Sequence, residues 1–100
     1  MRVIVADDEF FARKALVKRI GELTREIEFC KEAENGREVL EFLGEEGADL
    51  VVTDIRMPDM DGLEVARQVR EKFPETSVII QSGYADFDYA ATAIRYGVKD

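Results

Sequence analysis

Three short runs, Val3-Ile4-Val5, Leu50-Val51-Val52 and Val78-Ile79-Ile80, are apolar, rich in β-branched residues and continuous rather than alternating. Successive side chains of a strand point to opposite faces of the sheet, so an uninterrupted apolar run belongs to a strand buried on both faces. Such strands make up parallel sheets covered by helices. A fourth run, from Ile27 to Glu34, alternates, with Ile27, Phe29 and Ala33 on one side and Glu28, Glu32 and Glu34 on the other. It is expected to be a half-exposed edge strand.

The intervals between the runs carry apolar residues at spacings of three and four. Phe11, Ala15, Leu16, Ile20 and Leu23 form such a stripe, with Arg and Lys between them. Asn35-Gly-Arg-Glu38 has the spacing of a capping box and opens a second helix through Val39, Leu40, Phe42 and Leu43, closed by Gly44 and Gly47. Asp61-Gly-Leu-Glu64 repeats that spacing and opens a third, with Leu63, Ala66, Val69 and Phe73 inward and Pro74 beyond its end. A fourth helix is expected from about Asp86 to Tyr96, with Phe87, Ala90, Ala91 and Ile94 inward and Gly97 as its stop. The order β-α-β-α-β-α-β-α implies an α/β domain built on a doubly wound parallel sheet, spanning residues 1–100.

Several functions are excluded by what the chain lacks. It has no His, which removes the usual general base and every Ser-His or Cys-His hydrolase scheme. Cys30 is its single cysteine, too few for an internal disulfide or a zinc site. No run approaches the ~20 apolar residues that span a bilayer, and Met1 leads straight into a strand, so a cytoplasmic location without membrane contact is expected. The net charge of -8 argues against direct nucleic-acid binding, which needs clustered Lys and Arg.

The acids are placed more tellingly than they are numerous. In an open parallel sheet the functional crevice lies beyond the carboxyl ends of the strands. Asp7 and Asp8 follow the first strand, Asp54 the third and Ser82 the fourth. A lone strand-end Asp is commonly a helix cap, and Asp8 is placed to cap the first helix. Three converging carboxylates are a different matter: mutual repulsion would raise their pKa values unless a cation neutralised them. A hard divalent ion suits the cluster, and Mg²⁺ is the usual occupant of a small carboxylate site.

"ADD" after the first strand, "TDIRMPDMDG" after the third and "QSGYADFDYA" after the fourth resemble the receiver domain of two-component response regulators. The resemblance spans the whole chain. It implies the flavodoxin-like receiver fold, here with strand order 2-1-3-4 and the fifth strand and fifth helix absent, so that the domain is truncated. It implies that Asp54 is the phosphoacceptor and that a histidine kinase is the donor. Asp7, Asp8, Asp54 and the backbone carbonyl of Arg56 are implied ligands of Mg²⁺, and Ser82 is the implied switch hydroxyl. Met57-Pro58 and Asp61-Gly62 shape the loop after the third strand. Such a domain is no enzyme in the ordinary sense; at most it catalyses its own phosphoryl transfer and loss.

"SGYADFDYA" and "AIRYGVKD" look most like receivers joined to AraC-type DNA-binding output domains, so regulation of transcription by a domain not present here is implied. Lys99 cannot be carried over as the phosphate-contacting Lys of the family, because it precedes the missing strand. With that strand absent, Val78-Ile79-Ile80 becomes an open hydrophobic edge, and self-association through it is expected. The alternative function is a phosphorylation-independent interaction or oligomerisation module of receiver fold. "DMDG", residues 59 to 62, also resembles the core of haloacid dehalogenase-type phosphatases, but Asp59 stands five residues beyond the strand-end acid. An EF-hand fails because Met57 and Gln68 occupy two ligand positions.

Overall fold

The computed structural model of the chain describes residues 1–23, 27 and 29–81. Seven elements follow in order: β1 (Arg2–Ala6), α1 (Phe10–Leu23), β2 (Phe29–Ala33), α2 (Gly36–Glu45), β3 (Leu50–Asp54), α3 (Gly62–Lys72) and β4 (Ser77–Gln81). All four strands are parallel, in the order β2-β1-β3-β4. The expected fourth helix and the residue Ser82 fall at or beyond residue 82, outside the described residues.

The two faces of the sheet are read off alternate residues. Ile4, Ala6, Val51, Val78 and Ile80 pack with Val39 and Leu43 of α2 and Val65 and Val69 of α3. Val3, Val5 and Val52 point the other way, against Leu16, Val17 and Ile20 of α1. Val3, Val5, Val51, Val39, Val65 and Val69 are fully buried, each stabilising the fold by about 1.5–3 kcal/mol relative to exposure.

The caps match their sequence signatures. Asn35 Oδ1 accepts from the Glu38 N–H at 2.9 Å, and Asp61 Oδ1 from the Glu64 N–H at 2.8 Å. Gly47, at φ +74, ends α2 by donating its N–H to the Phe42 carbonyl, whereas Gly44 lies within the helix.

Four readings of side-chain direction are corrected. Phe11 is 78% exposed, and the buried stripe of α1 instead carries Arg13 at 6%. Ala15 is exposed as well. Leu63 is exposed while Val65 is fully buried, because Val65 and Val69 share the side of α3 that packs on the sheet and on α2. Ile27 packs with the α1-side cluster and Ala33 with the opposite one, since Ile27 precedes β2 and the strand's alternation does not extend to it.

Candidate functional site

The parallel register brings the carboxyl ends of β1 and β3 side by side, with Ala6 opposite Thr53. Asp7 continues from Ala6, and Asp54 closes β3. Asp8 completes the group: one carboxylate oxygen from each of Asp7, Asp8 and Asp54 can be chosen so that all lie within 4.8 Å of one another. Among the described residues this is the one cluster of acids, cysteines or histidines compact enough to hold a metal ion. Hard carboxylate oxygens are the donor type that a divalent cation takes, and this rim gathers three of them.

Each acid is held differently. The Asp7 N–H donates to the Ala33 carbonyl at 3.1 Å, which extends the β1–β2 pairing by one step. Asp7 Oδ1 accepts from the Glu9 N–H at 2.9 Å, at the entrance to α1. The Asp7 carbonyl accepts from Arg13 Nη1 at 2.9 Å. Asp8 is exposed and Asp54 half-buried, with the Ile55 N–H donating to Asp54 Oδ1 at 2.8 Å.

The loop after β3 is fixed at both ends. Met57 is buried in the α2–α3 core, with its sulfur 3.7 Å from Thr53 Oγ1. The Met60 N–H donates to the Pro58 carbonyl across Asp59, whose φ of 71 is uncommon outside glycine. The Gly62 N–H then donates to the Ile55 carbonyl at 2.7 Å, which draws the start of α3 onto the end of β3. Arg56, within this loop, is exposed, and its backbone N–H also bonds Asp54.

Burial is the first cause that raises the carboxyl of Asp7 above its ordinary value; the Glu9 N–H opposes it, and the charges of Asp54, Asp8 and Glu9 add to it. Asp54 is raised likewise, first by burial and then by Asp8, against the hydrogen bonds of Ile55 and Arg56. The mutual repulsion anticipated from sequence is therefore real but secondary to desolvation.

This has a sign. Between its ordinary pKa and its raised one, such a carboxyl holds more protons folded than unfolded, so its contribution to stability falls as pH rises through that window and remains unfavourable above it. Asp54→Asn removes the penalty. In metal-free buffer at pH 7 the variant is expected to melt at a higher temperature than the native chain, and the gap should narrow as pH is lowered to about 4. Circular dichroism melts with a chelator present measure this; a gap that widens toward acid would contradict it.

Of the sequence-derived site residues, Asp7, Asp8, Asp54 and Arg56 are located and Ser82 is not. Ser82 directly follows the last residue of β4 and lies outside the described residues, and no contact of the Arg56 carbonyl defines a ligand role. One residue was missed. Arg13 belongs with Leu16, Val17 and Ile20 at spacings of three, four and seven, a pattern that would have placed it in the stripe had its charge not suggested otherwise.

A family model described as the response regulator receiver domain matches residues 3–100. The DNA-binding transcriptional regulator NtrC of Proteus hauseri is 39% identical over 98 residues, which are 98% of this chain and 20% of that protein. The chemotaxis protein CheY of Listeria monocytogenes is 36% identical over 100 residues, covering 100% of this chain and 82% of that one. The first curated relatives it matches are longer, and the chain spans 20%, 46% and 27% of them. Among solved structures, a two-component transcriptional regulator AraC from Clostridium phytofermentans ISDg superposes with a TM-score of 0.76 at 30% identity, over 89% of this chain and 72% of that one.

Proposed function

Because the chain belongs to the response regulator receiver domain family, we propose that it is a phosphorylation-dependent signalling switch that loads a phosphoryl group onto Asp54. The convergence of the Asp7, Asp8 and Asp54 carboxylates at the joined ends of β1 and β3 carries this reading. A carboxylate oxygen of Asp54 attacks phosphorus while the bond from phosphorus to a donor histidine nitrogen breaks; an acyl phosphate forms and the kinase recovers its imidazole. Asp7, Asp8, Asp54 and the Arg56 carbonyl would hold Mg²⁺, which when bound offsets the negative charge of the phosphoryl oxygens.

The chain's own contribution is positioning. The Ile55 N–H fixes one Asp54 oxygen, and the strand end and the anchored loop hold the carboxylate against rotation. Ser82 is the proposed switch hydroxyl. The proposed donor is a histidine kinase and the proposed setting cytoplasmic; no helix among the described residues is long and apolar enough to cross a membrane. Residues 1–100 are proposed to be one receiver unit controlling a DNA-binding output domain, as the transcriptional regulators among its relatives suggest. Self-association through β4 belongs to the same proposal; a compact monomer at high concentration in sedimentation would end that part of it.

Incubation with Mg²⁺ and acetyl phosphate, followed by intact mass measurement, tests the switch. One phosphoryl group per chain is expected, and none when the metal is chelated. A chain that stays unmodified under both conditions would favour the phosphorylation-independent interaction module instead.

A further inference from the structure

Arg13 is 6% exposed and its guanidinium has two oxygen acceptors. Nη1 donates to the backbone carbonyl of Asp7 at 2.9 Å, and Nε donates to Glu32 Oε1 at 2.9 Å. Glu32 lies on β2 opposite Val5, and its second oxygen accepts from Lys14 Nζ at 2.7 Å. Lys14 first and Arg13 second hold the Glu32 carboxyl below its ordinary range.

A buried guanidinium is costly unless its donors are used, and both directed bonds here tie α1 to neighbours outside the helix. Its contact to the site is through the peptide that joins Asp7 to Asp8. That peptide decides where the two carboxylates stand relative to Asp54. Glu32, on the edge strand, in turn fixes the guanidinium.

We propose that Arg13, oriented by Glu32, is a positioning residue for the Mg²⁺ site, holding the Asp7–Asp8 peptide so that both carboxylates face Asp54. This rests on the reading of the acid cluster as a metal site. Supporting groups behind metal ligands typically change metal affinity by about 10- to 100-fold when removed. Arg13→Met keeps the stem and removes the donors, so it is expected to weaken Mg²⁺ binding about tenfold, at the low end of that range. Glu32→Gln removes the charge that orients Arg13 and should shift affinity in the same direction by less. Lys14→Met loses a bond to the other Glu32 oxygen but leaves the Glu32 Oε1 bond to Arg13 Nε in place, so its Mg²⁺ affinity should equal the native value.

The experiment is calorimetric titration of the whole chain and each variant with Mg²⁺ alone, at a temperature where circular dichroism shows all of them folded. Weakening in Arg13→Met and Glu32→Gln with native affinity in Lys14→Met is the expected result. Native affinity in a folded Arg13→Met overturns the proposal, as does equal weakening in Lys14→Met, which would mark a general loss of stability. If Arg13→Met does not fold, Glu32→Gln against Lys14→Met decides by the same comparison. A native chain that binds no Mg²⁺ overturns the metal site itself and this proposal with it.

Discussion

Asp54→Asn is expected to abolish phosphoryl uptake outright, not merely slow it. The substitution is nearly isosteric, and an Asn oxygen can keep the hydrogen bond from the Ile55 N–H that now reaches Asp54 Oδ1 at 2.8 Å. What is lost is the anionic oxygen that forms the new bond to phosphorus, and covalent transfer has no substitute for its nucleophile. The neighbours do not replace it. Asp7 is tied down through its N–H, its carbonyl and its own carboxylate, and Asp8 is an exposed acid in the turn beyond the end of β1. The same change removes a carboxylate that burial disfavours, so the inactive variant should also be the more heat-stable chain without metal. Function lost and stability gained at one position is the signature of an acid kept for chemistry rather than for folding. Intact mass after incubation with acetyl phosphate measures the first effect. Retained uptake in the variant would move the acceptor elsewhere.

Gly62→Ala should carry the largest structural cost among the glycines of the described residues. A methyl group there would collide with the carbonyl oxygen of Asp54 and stand 3.1 Å from both the Asp54 carbonyl carbon and Ile55 Cα. All three are backbone atoms at the end of β3, so no rotamer change relieves the contact. The expected loss is about 1–3 kcal/mol or more in urea denaturation, together with slowed phosphoryl uptake, because relief requires moving the peptide of Asp54, the proposed acceptor. Gly36 offers the comparison. There the methyl would meet Val65 Cγ2 at 2.6 Å and Met60 Cβ at 3.0 Å, mostly side chain, though the Met60 carbonyl is also 3.0 Å away. Gly36→Ala is expected to cost less and to leave uptake near the native rate. Gly21, in α1, has nothing within 4 Å of where a methyl group would stand, and it should gain roughly 0.5–1 kcal/mol on becoming Ala. A Gly62→Ala chain as stable as Gly36→Ala would show that the end of β3 yields more readily than this packing implies.

How much of this could be read from the sequence depends on what kind of signal each residue gives. The sheet was legible because Val3-Ile4-Val5 and its counterparts are buried on both faces, and a continuous apolar run has few other uses in so short a stretch. The acid cluster was legible for a related reason: Asp7, Asp8 and Asp54 interrupt apolar strands at their carboxyl ends, and parallel register must then gather those ends on one rim. The helix caps at Asn35 and Asp61 were legible because capping is local.

The failures are long-range. Phe11 looks like core and Arg13 like surface, yet their places are exchanged, because Arg13 finds its partners on β2 and in the β1–α1 turn. Nothing between residues 13 and 32 announces that pairing; it exists only once β2 lies beside β1. Leu63 and Val65 are equally apolar, and only the packing of α3 against the sheet and against Gly36 of α2 sends one outward and the other in. The ranking of causes behind the raised acids was hidden as well, since burial depends on how deeply the strand ends sit. Desolvation at the exit of a buried strand and repulsion among the acids could both be inferred from the letters, but not which of the two is larger.

The measurement that bears most directly on the central claim is the location of the modified residue. After loading with acetyl phosphate and Mg²⁺, reduction with borohydride converts an aspartyl acyl phosphate to homoserine, which peptide mass spectrometry assigns to a position. Homoserine at residue 54, and at no other acid, is the expected result. Homoserine at Asp7, Asp8, Asp59 or Asp61 with residue 54 unchanged would contradict the assignment of Asp54 as the group that receives the phosphoryl.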